Sequence, residues 1–142
     1  MKVNEIMTTD VKVIKPETSL QDAAEFMREL SVGALPVCDG KKLIGMLTDR
    51  DIVVRAVAQG MDVTTTTAAE CMTAEITFCF DDEDLQTAEG LMQDQQIRRL
   101  PVVDREKQLV GILSIGDIAI KADVTKEVGE TLREISEPDG EL

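Results

Sequence analysis

The side chains of this chain that are best placed to do chemistry occur in one short pattern that appears twice, Gly-x-Leu-[Thr/Ser]-x-x-Asp. It runs from Gly45 to Asp51 and again from Gly111 to Asp117. A hydroxyl followed three residues later by a carboxylate predicts a capping box, which satisfies backbone N–H groups at a helix start. The same two groups can bind a ribose diol, and a helix start favours an anion such as phosphate. Both interpretations stay open, because capping and ligand binding are compatible.

This pattern belongs to a longer internal repeat. Met7 corresponds to Met72 at an offset of 65 residues, and Asp51 corresponds to Asp117 at an offset of 66. Self-similarity of this kind predicts two units that bury their apolar faces together, since about 60 residues are marginal alone. We therefore predict repeat 1 over residues 1–60, a linker over 61–68, repeat 2 over 69–122, and an acidic C-terminal helix and tail over 123–142.

Each repeat predicts a mixed α/β (α+β) unit with the order β-α-β-β-α, and the two copies predict pseudo-twofold symmetry. Alternating apolar residues predict short first strands at residues 11–13 and 76–80. Apolar side chains at helical spacing follow in both copies, and Asp39-Gly40 is a hairpin turn signal. Short lead-in helices are predicted at residues 4–7 and 69–72, and one extra helix at 124–135.

The composition excludes several classes of function. The net charge of −13 argues against nucleic-acid binding, which requires neutralisation of phosphates. No apolar run approaches the roughly 18 residues of a membrane span, and no signal peptide is recognised, so a cytoplasmic protein is expected. The chain has no histidine, and a general base near neutral pH would need a strongly shifted carboxylate, lysine or cysteine. We therefore do not expect an enzyme, and we predict no catalytic residues.

Three cysteines, Cys38, Cys71 and Cys79, form no Cys-x-x-Cys pair. Structural zinc generally needs four Cys or His ligands, so no metal site is predicted and buried free thiols are expected. A metal or redox sensor that uses these three thiols is kept as an alternative function.

Taken together, these motifs resemble those of a CBS-domain pair, also called a Bateman module. The chain is similar to small stand-alone prokaryotic CBS-pair proteins, including hypoxia-response types. The resemblance rests on both Gly-x-Leu-[Thr/Ser]-x-x-Asp-Ile turns, on the two Leu-Pro-Val segments, and on the Ile-Met-Thr and Cys-Met-Thr openings. It covers about residues 3–122.

The resemblance implies a regulatory module that binds AMP, ADP, ATP or S-adenosylmethionine in clefts between the two repeats. It also implies a homodimer and a separate effector protein that responds to the ligand. No cofactor is required, and the adenine nucleotide, free or with magnesium, is the regulatory ligand. The residues implied for the ribose are Thr48, Asp51, Ser114 and Asp117. Those implied for the base pocket are Gly33, Ala34, Leu35, Pro36, Arg99, Leu100 and Pro101.

Phosphate groups need cations, and few are available in this acidic chain. The candidates near the repeated motif are Arg50, Arg98, Arg99 and Lys121. Besides the thiol sensor, one further alternative stays open, a ligand-free dimeric scaffold that keeps the fold and binds no nucleotide.

Overall fold

The computed structural model describes residues 1–121, so the predicted helix at 124–135 and the acidic tail at 123–142 lie outside the described residues. The chain forms two compact units. Within the described residues, unit 1 combines Met1–Val11 with the segment from Thr77 to Lys121, and unit 2 is Lys12–Ile76. Each unit therefore joins most of one sequence repeat to the lead-in segment of the other.

Unit 2 contains a two-stranded antiparallel hairpin flanked by helices. The strand pairing places Ala34 opposite Thr48, and a β-bulge lies between Val37 and Cys38. Gly40, at φ +62°, forms the tight turn that the Asp-Gly signal predicted. The elements of unit 2 are α1 (Leu20–Leu30), β1 (Ala34–Asp39), β2 (Lys42–Thr48), α2 (Asp49–Asp51), a π-helical segment (Ile52–Val57) that continues α2, and α3 (Ala68–Cys71).

Unit 1 contains the corresponding hairpin with one additional short strand. The short strand pairs in parallel with the first hairpin strand, and the hairpin places Arg99 opposite Ser114. Lys107 occupies the left-handed conformation in this turn, at φ +64°. The elements of unit 1 are a 3-10 turn (Val3–Glu5), β3 (Cys79–Phe80), α4 (Leu85–Gln95), β4 (Arg99–Val103), β5 (Leu109–Ser114) and α5 (Ile115–Lys121).

Helix α1 shows how the sequence determines each element locally. The Ser19 hydroxyl accepts a hydrogen bond from the Asp22 backbone N–H at 3.1 Å, which caps the helix start. Leu20, Ala23 and Met27 are buried at helical spacing, so one face of the helix packs on the core. The predicted mixed α/β class is confirmed.

The first strands are shorter than the alternation of apolar residues predicted. In place of a strand at residues 11–13, the structure has a single parallel bridge between Ile14 and Val37, and the strand predicted over 76–80 is reduced to β3. The strand expected at 11–13 was wrong, and the strand expected at 76–80 was confirmed only over Cys79–Phe80. Both are short because the chain passes from one unit to the other between Val11 and Lys12 and again between Ile76 and Thr77. A segment that changes units cannot keep a single strand partner.

Each lead-in segment is attached to the second hairpin strand of its unit by a pair of backbone hydrogen bonds. Thr8 exchanges N–H···O bonds of 2.8 and 2.9 Å with Ile112, and Thr73 exchanges bonds of 2.9 and 3.0 Å with Met46. A glycine precedes the paired strand residue in both units. A Cβ added at Gly45 would lie 2.9 Å from the Thr73 carbonyl oxygen, and one at Gly111 would lie 2.9 Å from the Thr8 carbonyl oxygen.

Each unit has its own apolar core, which includes a buried residue from the attached lead-in. In unit 2 the core includes Leu35, Leu47 and Cys71. In unit 1 it includes Ile6 and Leu100. The lead-ins are therefore structural parts of the units to which they attach.

We expect Gly45→Ala to destabilise the protein by about 1–3 kcal/mol, because the new methyl group overlaps the Thr73 carbonyl and the Met72 sulfur. Urea unfolding followed by circular dichroism measures the change. Gly90→Ala is the matched control, since a Cβ there meets nothing within 4 Å and alanine favours the helix. An unfolding midpoint of Gly45→Ala at or above that of the wild type would contradict the close approach.

Candidate functional site

The hydroxyl and carboxylate of unit 2 form a reciprocal cap at the start of α2. The Thr48 hydroxyl accepts from the Asp51 N–H at 3.0 Å, and Asp51 Oδ2 accepts from the Thr48 N–H at 3.0 Å. The capping interpretation of the motif is confirmed. The Asp51 side chain remains 12% exposed, so solvent or a ligand can still reach the carboxylate.

Unit 1 repeats this geometry with one added contact. Asp117 Oδ2 accepts from the Ser114 N–H at 3.2 Å, and the Ser114 hydroxyl accepts from the Asp117 N–H at 3.0 Å. The Thr8 hydroxyl donates to Asp117 Oδ1 at 3.0 Å, so this carboxylate also holds the lead-in segment. In both units Oδ2 of the aspartate serves the cap. The other oxygen, Oδ1, lies near Arg55 in unit 2 and accepts from Thr8 in unit 1.

A cation four residues after each aspartate binds the lead-in backbone. Arg55 Nη1 donates to the carbonyl oxygens of Cys71 and Met72 at 3.1 and 3.2 Å, and its Nε lies 3.8 Å from Asp51 Oδ1. Sequence analysis missed Arg55, although a basic residue at this spacing in both repeats was the signal that could have identified it.

Lys121, proposed from the sequence as a phosphate ligand, occupies the position in unit 1 that corresponds to Arg55. Its Nζ donates to the Ile6 carbonyl oxygen at 3.1 Å and lies 4.0 Å from Asp117 Oδ1. The structure therefore gives Lys121 a role in holding the lead-in segment, next to the carboxylate.

The residues predicted for the base pocket divide into two groups. Leu35 and Leu100 are 2% and 0% exposed and belong to the two cores, so their side chains are not available to a ligand. Pro36 and Pro101 are also buried. The remaining members lie at the strand starts and are exposed or half-buried: Gly33, Ala34 and Arg99.

The strand starts lie beside the capping motif in each unit. In unit 2 the Asp49 N–H donates to the Gly33 carbonyl oxygen at 2.9 Å. In unit 1 the Ile115 N–H donates to the Arg98 carbonyl oxygen at 3.1 Å. The structure thus places Gly33 and Ala34 close to the motif of unit 2, and Arg98 and Arg99 close to that of unit 1. Arg50 lies exposed within α2 itself.

The three cysteines are buried and reduced. Burial raises the pKa of the Cys79 thiol to about 12 and also raises the pKa of Cys38 and of Cys71. Within residues 1–121, no group of three or more Cys, Asp or Glu side chains is arranged to hold a metal ion. A raised pKa lowers the thiolate fraction of a cysteine, which argues against these three thiols as redox-active groups.

Two of the phenylalanines form an edge-to-face pair at the start of β3. The Phe78 and Phe80 ring centroids are 5.7 Å apart, and cationic groups of Arg105 and Lys107 lie over the rings. Arg105 also forms a bidentate ion pair with Asp82. These contacts give both rings partners within unit 1.

Among the described helices, none is long and apolar enough to cross a membrane.

Comparison with known proteins places these features in a family. The family model described as "CBS domain" matches residues 3–57 and 68–122. CBS domain-containing protein YhcV of Bacillus subtilis is 42% identical over 134 residues, which cover 94% of each chain. Hypoxic response protein 1 of Mycobacterium tuberculosis is 41% identical over 116 residues, which cover 81% of this chain and 80% of the relative.

Two solved structures are similar to the fold as a whole. The crystal structure of Hypoxic Response Protein I with two coordinated zinc ions has a TM-score of 0.76 and 39% identity, and the match covers 84% of this chain and 98% of that one. The crystal structure of CBSX2 in complex with AMP has a TM-score of 0.75 and 32% identity, and the match covers 88% and 98% of the two chains.

We expect Cys79 to react slowly with iodoacetamide in the native protein at pH 8. A pKa raised from 9.0 to about 12 lowers the thiolate fraction on the order of a thousandfold, and burial also limits access. Mass spectrometry of the labelled peptide, with guanidinium-unfolded protein as the control, measures the rate. Equal rates in the native and unfolded proteins would contradict this prediction and return the redox sensor to consideration.

Proposed function

This chain belongs to the CBS domain family, and from that premise we propose that it is a non-enzymatic regulatory protein that binds an adenosine-containing ligand. The ligand class is AMP, ADP, ATP or S-adenosylmethionine. The observation that carries the proposal is the duplicated cap, in which each aspartate uses Oδ2 for the cap, leaves Oδ1 outside it and stays partly exposed. The side chains of Asp51 and Asp117 are 12% and 17% exposed.

The geometry supports a role for these carboxylates in binding ribose. An ionised carboxylate accepts up to about four hydrogen bonds, and the cap uses one oxygen of each aspartate. Two adjacent ribose hydroxyls are donors that match the remaining positions. The structural relative CBSX2, which was crystallised with AMP, supports the choice of an adenosine ligand.

The proposed regulation acts through the lead-in segments. Asp117 accepts from the Thr8 hydroxyl, and the cations beside both aspartates bind lead-in carbonyl groups. A ligand that binds the carboxylate therefore changes the electrostatic environment of the lead-in. The change reaches an effector protein only to the extent that the ligand binds one arrangement more tightly than another.

We expect calorimetric titration to show saturable binding of at least one of AMP, ADP, ATP with or without magnesium, and S-adenosylmethionine. Asp51→Asn and Asp117→Asn each keep an oxygen for the cap but remove the charge, so each should weaken one site about tenfold or more. Asp94→Asn, an exposed carboxylate on α4, is the matched control for loss of one negative charge.

Two results of this titration would count against the proposal. If folded wild-type protein gives no heat with any of these ligands, the adenosine proposal is wrong and the ligand-free scaffold is favoured. If binding survives undiminished in both aspartate variants, the ligand lies elsewhere and the ribose assignment is wrong.

We also propose that the chain forms a homodimer through the π-helical segment of unit 2. Val53, Val54 and Val57 are between 46% and 58% exposed on this segment, a cluster that monomeric proteins usually cover. Ile120 is exposed at the position of unit 1 that corresponds to Val54. The exposed valines of the π-helical segment suit a second copy of the same segment, because a two-fold contact pairs like with like.

We expect the double variant Val53→Glu, Val57→Glu to be monomeric where the wild type is dimeric, because the charges would be buried without partners. Sedimentation equilibrium measures the mass. Leu30→Glu, at an exposed apolar position on α1, is the control and should leave the dimer intact. A monomeric wild type, or a dimer that survives the double substitution, would show that this surface is not the interface.

A further inference from the structure

The two candidate sites differ in charge although their capping motifs are alike. At the start of the first hairpin strand, unit 1 has Arg98 and Arg99 where unit 2 has Gly33 and Ala34. Register makes the positions comparable, since Arg99 lies directly opposite Ser114 and Ala34 lies opposite Thr48. Two cations therefore stand beside the motif of unit 1, at positions where unit 2 has no charge.

The residue that follows the capping Thr or Ser increases the difference in charge between the two sites. In unit 2 it is Asp49, which is exposed and lies against Gly33 so closely that a Cβ on the glycine would be 3.1 Å from Asp49 Oδ2. In unit 1 it is Ile115, which is 6% exposed and belongs to the core. Unit 2 thus adds a carboxylate where unit 1 has an apolar side chain.

The remaining charged groups near the motifs do not cancel this difference. Unit 2 has the cations Arg50 and Arg55 beside its two aspartates, Asp49 and Asp51. Unit 1 has Lys121, in addition to its two arginines, beside the single carboxylate of Asp117. Over these named side chains alone, the unit 1 group is more positive than the unit 2 group by two elementary charges.

From this difference we infer that the two sites select adenosine ligands of opposite charge, an inference that rests on the proposed function. The unit 1 site takes a ligand that carries phosphate, and the unit 2 site takes one whose substituent on the ribose is neutral or cationic. A phosphomonoester carries about −1.5 to −2 charges at neutral pH, whereas the sulfonium and ammonium groups of S-adenosylmethionine are cations. A charge-assisted hydrogen bond to phosphate corresponds to roughly a tenfold to hundredfold change in affinity.

The test compares aspartate variants of the full chain, each of which weakens one site and leaves the other site unchanged. Asp51→Asn leaves the unit 1 site, and Asp117→Asn leaves the unit 2 site. Each variant is titrated calorimetrically with AMP, adenosine and S-adenosylmethionine. We expect the preference for AMP over adenosine to be at least about tenfold greater in Asp51→Asn, and S-adenosylmethionine to bind more tightly to Asp117→Asn.

Two further substitutions test the cause of the selectivity. In the Asp51→Asn background, Arg99→Ala should lower the AMP affinity about tenfold more than the adenosine affinity. In the Asp117→Asn background, Ala34→Arg should raise the AMP affinity, because it supplies a cation opposite Thr48. Raised salt concentration should weaken AMP binding more in Asp51→Asn than in Asp117→Asn.

The outcomes separate this inference from the proposed function. The charge selectivity would be overturned if the two variants showed equal or reversed preferences for AMP. It would also be overturned if one variant bound none of the three ligands while the other bound. Either result would leave an adenosine-binding protein. Absence of binding by folded wild-type protein would instead overturn the proposed function and, with it, this inference.

Discussion

The close backbone approach between each lead-in and a glycine-bearing strand is the constraint on which the rest of the structure depends. The lead-in adds to the hairpin through two short hydrogen bonds, and the neighbouring glycine leaves no room for even one methyl group. This pairing brings Thr8 to Asp117 and the carbonyl groups of Ile6 and Cys71 to the following basic side chains. The cap, the cation and the lead-in form one connected set of contacts in each unit as a result.

Much of the fold could be predicted from the sequence because its signals are local. Helical spacing identified α1 and α4, and Asp39-Gly40 identified the first hairpin turn. The short strands before these helices were overestimated, since alternation of apolar residues shows which side chains are buried but does not supply a strand partner. The attachment of the lead-ins was beyond such reasoning. The two hairpins are so similar that no local pattern shows to which of them a Met-Thr segment will pair.

The candidate site could be predicted from the sequence to a similar degree. The capping geometry of Thr48 with Asp51 follows from spacing alone, and the structure shows it. The role of Arg55 does not follow, because its partners are carbonyl oxygens 16 and 17 residues away along the chain. The burial of Leu35 and Leu100 likewise depends on tertiary packing. A cap and a ligand site use the same carboxylate atoms, so the sequence predicted both roles for these residues.

The division of the chain into units also sets the order in which they can form during synthesis. Unit 2 is a continuous segment, Lys12–Ile76, so all of its residues have left the ribosome before unit 1 is complete. Unit 1 is interrupted by it, and its contacts join residues as far apart as Ile6 and Lys121, which are 115 positions apart. Contacts of such long range are slow to form. Val3 and Ile6 therefore complete their core only after the segment that contains Cys79 to Ile118 has been translated.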